Sequence, residues 1–341
     1  MSDRAKWKVR GRVRTLRAEF AEWDPHQEVW QAPRRVSSVT FHPNGTIRES
    51  EHQNPDASIS RSTYLYDDVG RLVEVQFWMN DGPMSKVLHS YDDAGRPLHT
   101  VNVAQDRTVR ESETYRYDGG GRKTKVQLVD CANCFYGFEG TEHAYGAPGA
   151  ATMTVTYDER DQPADVLFHD PDHNLLQRVV FTRDRDGRLV SEEIVRGELL
   201  QNALDSAPPE ERARANALLA TVFGPDQTLS RTTYAYDQRG RRVERRTRMG
   251  TLGENRTTFR YDDYDNPVEE TTEDRSREVN IDENGIEEVT AETVQRQHAR
   301  FEYQYDAQGN WTERVVLSRA EPNPDFRREN VERRNIAYYI I

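Results

Sequence analysis

The sequence predicts an all-β chain: tandem β-hairpins joined edge to edge into one long, curled antiparallel sheet or partial cocoon, with a single inserted helix. Two observations predict it. A short phrase recurs ten times in 341 residues, in full or with substitutions: an aromatic, then aspartate, then glycine three residues later. Its copies are anchored at Phe41, Tyr66, Tyr91, Tyr117, Tyr157, Arg183, Tyr236, Tyr261, Ile281 and Tyr305. Seven of the nine spacings lie between 20 and 26 residues, and the other two, 40 and 53, are one unit plus an insertion. A near-constant period of this kind is the mark of a repeat array. The second observation is alternation. The residue two before the anchor is apolar or aromatic in nine of ten copies, as in Val39, Tyr64, Tyr115, Val155, Phe181 and Tyr234, which puts both side chains on one face of a strand.

The phrase itself reads as a turn. Asp67, Asp92, Asp118, Asp158, Asp237, Asp262 and Asp306 suit a turn's first position, where the carboxylate accepts from backbone N–H groups two residues on. Gly70, Gly95, Gly121, Gly240 and Gly309 supply the positive φ that closes a hairpin. Asp161 and Asp265 stand where glycine is missing, and aspartate is among the few residues that tolerate that region. A second alternating run follows each turn, such as Val73, Val75 and Phe77, or Val126 and Leu128. One hairpin is marginal in water, so successive hairpins must pair and bury a shared aromatic face.

The run Tyr66 to Leu72, Tyr-Asp-Asp-Val-Gly-Arg-Leu, resembles the YD repeat of RHS and teneurin-type proteins, shells of coiled β-hairpins. The resemblance spans about Val39 to Arg314, and the last copy, Tyr303 to Trp311, is similar to a Gly-Asn-Trp variant of short bacterial repeat proteins. It implies a solenoid-like β shell, a bacterial cell-surface setting, and a structural part for the repeat residues. The motif is specific for fold and only weakly for function. The chain departs from the family in having no Asp-Pro-x-Gly-Leu boundary: its Asp-Pro pairs are Asp24-Pro25 and Asp170-Pro171. With no toxin domain after the last repeat, toxin delivery is not implied.

In chain order, residues 1–38 read as capping strands, with Trp7, Val9 and Val13 alternating with basic residues. The array runs over 39–320 with two insertions. The first, about 130–150, holds Cys131-Ala132-Asn133-Cys134, then Phe135-Tyr136-Gly137-Phe138 and Glu142-His143. Three chemistries compete there: a disulfide or free structural thiols, a zinc site using Cys131, Cys134 and His143 with a fourth ligand, or a redox pair. The second insertion, about 197–228, reads as a helix, with Pro208-Pro209-Glu210-Glu211 at its start and Phe223-Gly224-Pro225 at its stop. Residues 321–341 read as a C-terminal cap, Ile336, Tyr338 and Ile340 alternating. His169-Asp170-Pro171-Asp172-His173-Asn174 is dense in metal-ligand types but also in turn formers.

The net charge of −12 argues against nucleic acid as a partner. Arginines 239, 241, 242, 245, 246 and 248 alternate with acidic strands carrying Glu269, Glu270, Glu273 and Asp274, a pattern that suits cross-strand ion pairs on a solvent face. No apolar run of transmembrane length exists, and the N-terminus lacks a signal peptide's apolar stretch. The chain as written reads as cytoplasmic, or as exported if a leader was removed. Phosphate-loop, nucleophile-elbow and His-Glu-x-x-His motifs are absent. The expectation is a non-enzymatic binding, scaffold or encapsulating module for a protein, peptide or glycan, with no cofactor beyond a candidate zinc. The alternative is a polysaccharide hydrolase or lyase with carboxylates inside the curled sheet.

Overall fold

The computed structural model describes residues 7, 9–54, 56–129, 136–138, 141, 144–197, 208–223, 228–282 and 285–339. The recurring phrase folds as one kind of turn. At Asp67 the backbone N–H donates to Arg71 O at 2.9 Å and Gly70 N–H donates to Asp67 O at 2.9 Å. The pairing register slips by one residue between Leu65 and Tyr66. This is a type I turn followed by a bulge whose extra residue is left-handed. The same bonds recur at Asp92, Asp118, Asp158, Asp184, Asp237, Asp262 and Asp306. The bulge residue has φ +85° at Gly70, +77° at Gly240, and +60° and +67° at the stand-ins Asp161 and Asp265. Asp-Pro-Asp-His-Asn at 170–174 makes this turn too, with His173 in the left-handed position at φ +68°.

The copy at Ile281 is different. A single strand, Pro267–Asp282, separates it from the turn after Tyr261, where other neighbouring phrases are separated by two or more strands. It therefore belongs to the opposite end of the hairpins, on a long pair formed with Gly285–Tyr305.

Two compact units divide the chain, Met1–Arg110 with Tyr261–Glu269 and His298–Ile341, and Glu111–Arg260 with Glu270–Gln297. In the first, Val13–Asp24 pairs on one side with Arg327–Tyr338, as Leu16↔Ile336 and Phe20↔Glu332. On its other side it pairs with Arg34–Phe41, as Leu16↔Val39. Val9, Val13, Leu16, Val39 and Phe41 are buried there. The second unit zips Lys123–Val129, Thr152–Tyr157, Pro163–His169, Leu175–Arg183, Leu189–Arg196, Thr228–Tyr236 and Arg242–Met249 in sequence order. Its core is the cross-strand row Tyr115–Val126–Met153–Phe168 beside Val155–Val166–Val179–Ile194. Burying a side chain such as Phe168, wholly inaccessible here, contributes roughly 1.5–3 kcal/mol. Buried positions thus include the residue two before the anchor at Val39, Tyr115, Val155, Phe181 and Tyr234 and residues of strands that follow a turn, such as Val75, Val126 and Val166, while the anchor tyrosines are half-buried.

The sheet has 21 strands, counting the two-residue Val29–Trp30. Because Val13–Asp24 is paired along both edges, the sheet returns on itself and closes as a 20-strand barrel. This corrects the expectation of an open curled sheet or solenoid, and with it the resemblance to the RHS and teneurin-type YD-repeat family that implied one. The turn phrase is a local solution for a bulged hairpin, and a local solution does not specify whether an array ends or closes. Bulges at one end of hairpin after hairpin add twist in a single sense, and the terminal strands, which read as caps, pair with each other. Among the described residues the one helix is Pro209–Phe223, inside the second insertion.

Candidate functional site

The repeat residues form a ladder along the turn-bearing end of each unit. Four anchor tyrosines donate their hydroxyls to a main-chain carbonyl of the hairpin before them. Tyr66 reaches Ile47 O at 2.9 Å, Tyr91 reaches Leu72 O at 2.6 Å, Tyr157 reaches Lys123 O at 2.6 Å and Tyr236 reaches Leu189 O at 2.6 Å. Where the anchor is Arg183, its guanidinium makes the same bond to Pro163 O at 2.6 Å. Tyr117 packs against the second unit's core and Tyr261 ends the strand Gly253–Tyr261. The residue after the glycine links forward. Arg71 Nε donates to Asp67 at 2.7 Å, and its guanidinium stands 4.8 Å over the Tyr91 ring. Arg122 does this over Tyr157 and Arg188 over Tyr236. The backbone N–H of that arginine, above its side chain, holds the Asp67, Asp92 and Asp118 carboxyls below the usual carboxylate range.

The last turn is built differently. Asn310, 3 % exposed, takes the arginine's place. It accepts from Arg10 N–H at 2.6 Å and donates to Arg10 O at 3.0 Å and to Tyr338 Oη at 2.8 Å. Tyr338 in turn donates to Asp306 at 2.5 Å. At Gly309, φ +76°, a Cβ would lie 3.0 Å from the Tyr264 ring, which stacks on Tyr305, so a side chain there would be strained and would push on that ring. Tyr305 donates to Asp262.

A second cluster lies on the core face of the second unit, where the first insertion packs back onto the sheet. Tyr136, Phe138 and Tyr145 join the core, with Phe138 and Tyr145 ring centroids 5.4 and 5.5 Å from that of Phe181. Glu192, 3 % exposed, accepts from Tyr145 and from Tyr234, the latter at 2.7 Å. Glu113 accepts from Tyr115 and from Tyr136, the latter at 3.0 Å. Burial first, then the Glu113 and Glu192 carboxylates, push the Tyr136 and Tyr145 hydroxyls up. Lys123 stands 4.3 Å over the Tyr115 ring, and burial lowers its pKa against the pull of Glu113. Sequence reading passed over Glu113 and Glu192. The signal was present: each sits in the two-residue register of an apolar row, Glu113 with Tyr115 and Tyr117, Glu192 with Ile194.

The candidate zinc ligands Cys131, Cys134 and His143 lie outside the described residues. Among the described residues no group of three or more His, Cys, Asp and Glu is placed to hold a metal. His169 lies in the strand Pro163–His169 paired with Thr152, and His173 is spent on the turn. Cross-strand ion pairs lie on the face away from the core, including Arg178–Asp165 at 2.6 Å, Arg231–Glu193 at 3.0 Å and Arg256–Glu244 at 2.6 Å. Of the residues expected to make them, Arg246 and Arg248 take Glu254, and Glu273 takes Arg275 and Arg296.

No family model and no curated protein matches the sequence. Among solved structures, a porin-like protein from Bacteroides uniformis aligns over 95 % of this chain and 98 % of its own at 10 % identity and a TM-score of 0.33. One from Bacteroides vulgatus aligns over the same shares at 10 % identity and 0.26. The Photorhabdus luminescens Tc holotoxin pore with TccC3-D651A aligns over 89 % of this chain and 17 % of its own at 12 % identity and 0.28. Likenesses this distant assign neither activity nor partner to this chain.

Proposed function

We propose that the protein is a non-enzymatic binding, scaffold or encapsulating module that holds a protein, peptide or glycan. The observation that carries this reading is the use made of the core-face carboxylates. A glycosidase or lyase needs two carboxyl groups free to flank a sugar, roughly 5–9.5 Å apart. Glu192 and Glu113 instead each accept from two tyrosines, and one tyrosine of each pair comes from the insertion. They serve to fasten that segment over the sheet, where Tyr136, Phe138 and Tyr145 join the core.

The opposite face also favours a shell that meets water. A lipid-facing strand surface carries a continuous apolar band, whereas this one carries Arg178, Asp165, Arg231, Glu193, Arg256 and Glu244 in ion pairs. The test joins a glycan and peptide array with a reducing-end assay on a panel of polysaccharides. Saturable binding without product is expected. Product formation that disappears in Glu192→Gln or Glu113→Gln would overturn the reading in favour of the hydrolase or lyase.

A further inference from the structure

We infer a binding pocket for a compact polyanion, one bearing two phosphate or sulfate ester groups, at the shoulder where the longest hairpin of the second unit leaves the sheet. The inference rests on the binding reading above and gives its ligand a chemical class. The shoulder follows from strand lengths. Arg242–Met249 turns through Gly250, Thr251 and Leu252 into Gly253–Tyr261, but the neighbouring strand, Pro267–Asp282, runs on past that turn. Arg277 N–H donates to Leu252 O at 2.8 Å. An added Cβ on Gly253 would stand 3.2 Å from Arg275 O. The turn is thereby held against the longer strand, and a cavity of about 430 Å³ opens beside it, within the range of small-ligand sites.

Period-2 geometry sets the lining. Arg246 and Arg248 stand on one strand and Arg275 and Arg277 on another, with Glu254 on the strand between them and Glu292 on the strand beyond. Among the described residues four guanidinium groups and two carboxylates line the cavity, in a chain whose net charge is −12. Glu273, outside the lining, takes Arg275 and Arg296. The acids do not saturate the bases. Glu254 lies deepest, its side chain 16 % exposed, and takes both Arg246 and Arg248 at 2.8 Å. Arg275 reaches Glu273 at 2.6 Å and Glu292 at 3.6 Å. Arg277 has no ion-pair partner among the described residues, and Arg246 Nε is buried there without a hydrogen-bond partner. The mouth is formed by the heads of Arg248, Arg246 and Arg275, which are 60, 42 and 47 % exposed. A guanidinium offers five donors in a planar fork that matches tetrahedral oxyanions two bonds at a time. Spare forks around one cavity therefore select a ligand with more than one such group.

The test is calorimetric titration of the full chain at low salt with two probes, inorganic pyrophosphate and a disulfated disaccharide. Saturable binding that weakens as sodium chloride is raised is expected. R277A should weaken it about tenfold, the worth of one charged hydrogen bond, R277K should recover part of the loss, and R248A/R277A should abolish it. These arginines are exposed, so the melting temperature should stay put. Binding of one probe alone supports the pocket and tells a phosphorylated from a sulfated source. Absence of saturable binding by either probe, or binding that R248A/R277A leaves intact, overturns it. Array ligands that still bind R248A/R277A would leave the binding reading standing while the pocket falls.

Discussion

Two turns with the same backbone do different work. At Asp67–Leu72 the residue after the glycine is Arg71, which pairs with its own Asp67 and covers the ring of Tyr91 in the next hairpin. At Asp306–Trp311 that residue is Asn310, and what lies next is the chain's own N-terminal segment, 300 positions away in sequence. The amide of Asn310 holds both the N–H and the C=O of Arg10, as a strand partner would. The following residue changes with it: Leu72 becomes Trp311, 8 % exposed, with the Arg334 guanidinium over its ring and Tyr303 packed edge-on. The repeat turn propagates an array, and its last copy ends propagation by fastening the two termini.

Breaking the seam should therefore cost more than breaking a rung. Trp311→Ala should have the largest effect, about 3–5 kcal/mol as for buried tryptophan truncations, read as a fall in the urea midpoint. Asn310→Ala removes both bonds to the Arg10 main chain and the one to Tyr338 and should cost about 2 kcal/mol. Tyr91→Phe removes a single hydroxyl bond to Leu72 O and should cost about 1 kcal/mol. If Tyr91→Phe proved as damaging as Asn310→Ala, seam and rung would be equivalent and the contrast would fail.

Titration separates the two turns further. Burial, then the bond to Asp306, raises Tyr338 to about 12. A group raised above its unfolded value near 10 contributes stability that is complete below pH 10 and lost as pH climbs through 12. The seam should thus lose stability in alkali. The Asp67, Asp92 and Asp118 carboxyls are lowered instead. Their contribution is present above the unfolded value near 3.8 and lost as pH falls through the folded one. Asp67→Asn should blunt the acid limb of a stability–pH curve slightly and leave the alkaline limb unchanged, while Tyr338→Phe should do the reverse.

How much of this was legible in the sequence follows from locality. The turn chemistry was, down to Asp161 and Asp265 in the left-handed position, because it depends on five consecutive residues. The helix start at Pro209 and its end at Phe223 were, because proline, acids and glycine mark them. The Ile281 phrase misled, since a turn at the wrong end of a hairpin uses the same letters. Closure was not legible: the Leu16–Ile336 pairing leaves only alternation at both termini and a Gly-Asn-Trp ending that reads as a variant of the repeat. Glu192 was missed because its partners Tyr145 and Tyr234 come from the first insertion and from the neighbouring strand reached across the second.

Hydrogen–deuterium exchange along Val13–Asp24 tests closure most directly. In a closed sheet this strand is paired on both sides, so its amides from Leu16 to Phe20 should be protected to the same degree as those of the interior strand Leu175–Arg183. Asn310→Ala should selectively shorten that protection. Rapid exchange at every second amide of Val13–Asp24 in the unaltered protein, the pattern of an edge open to solvent, would contradict it.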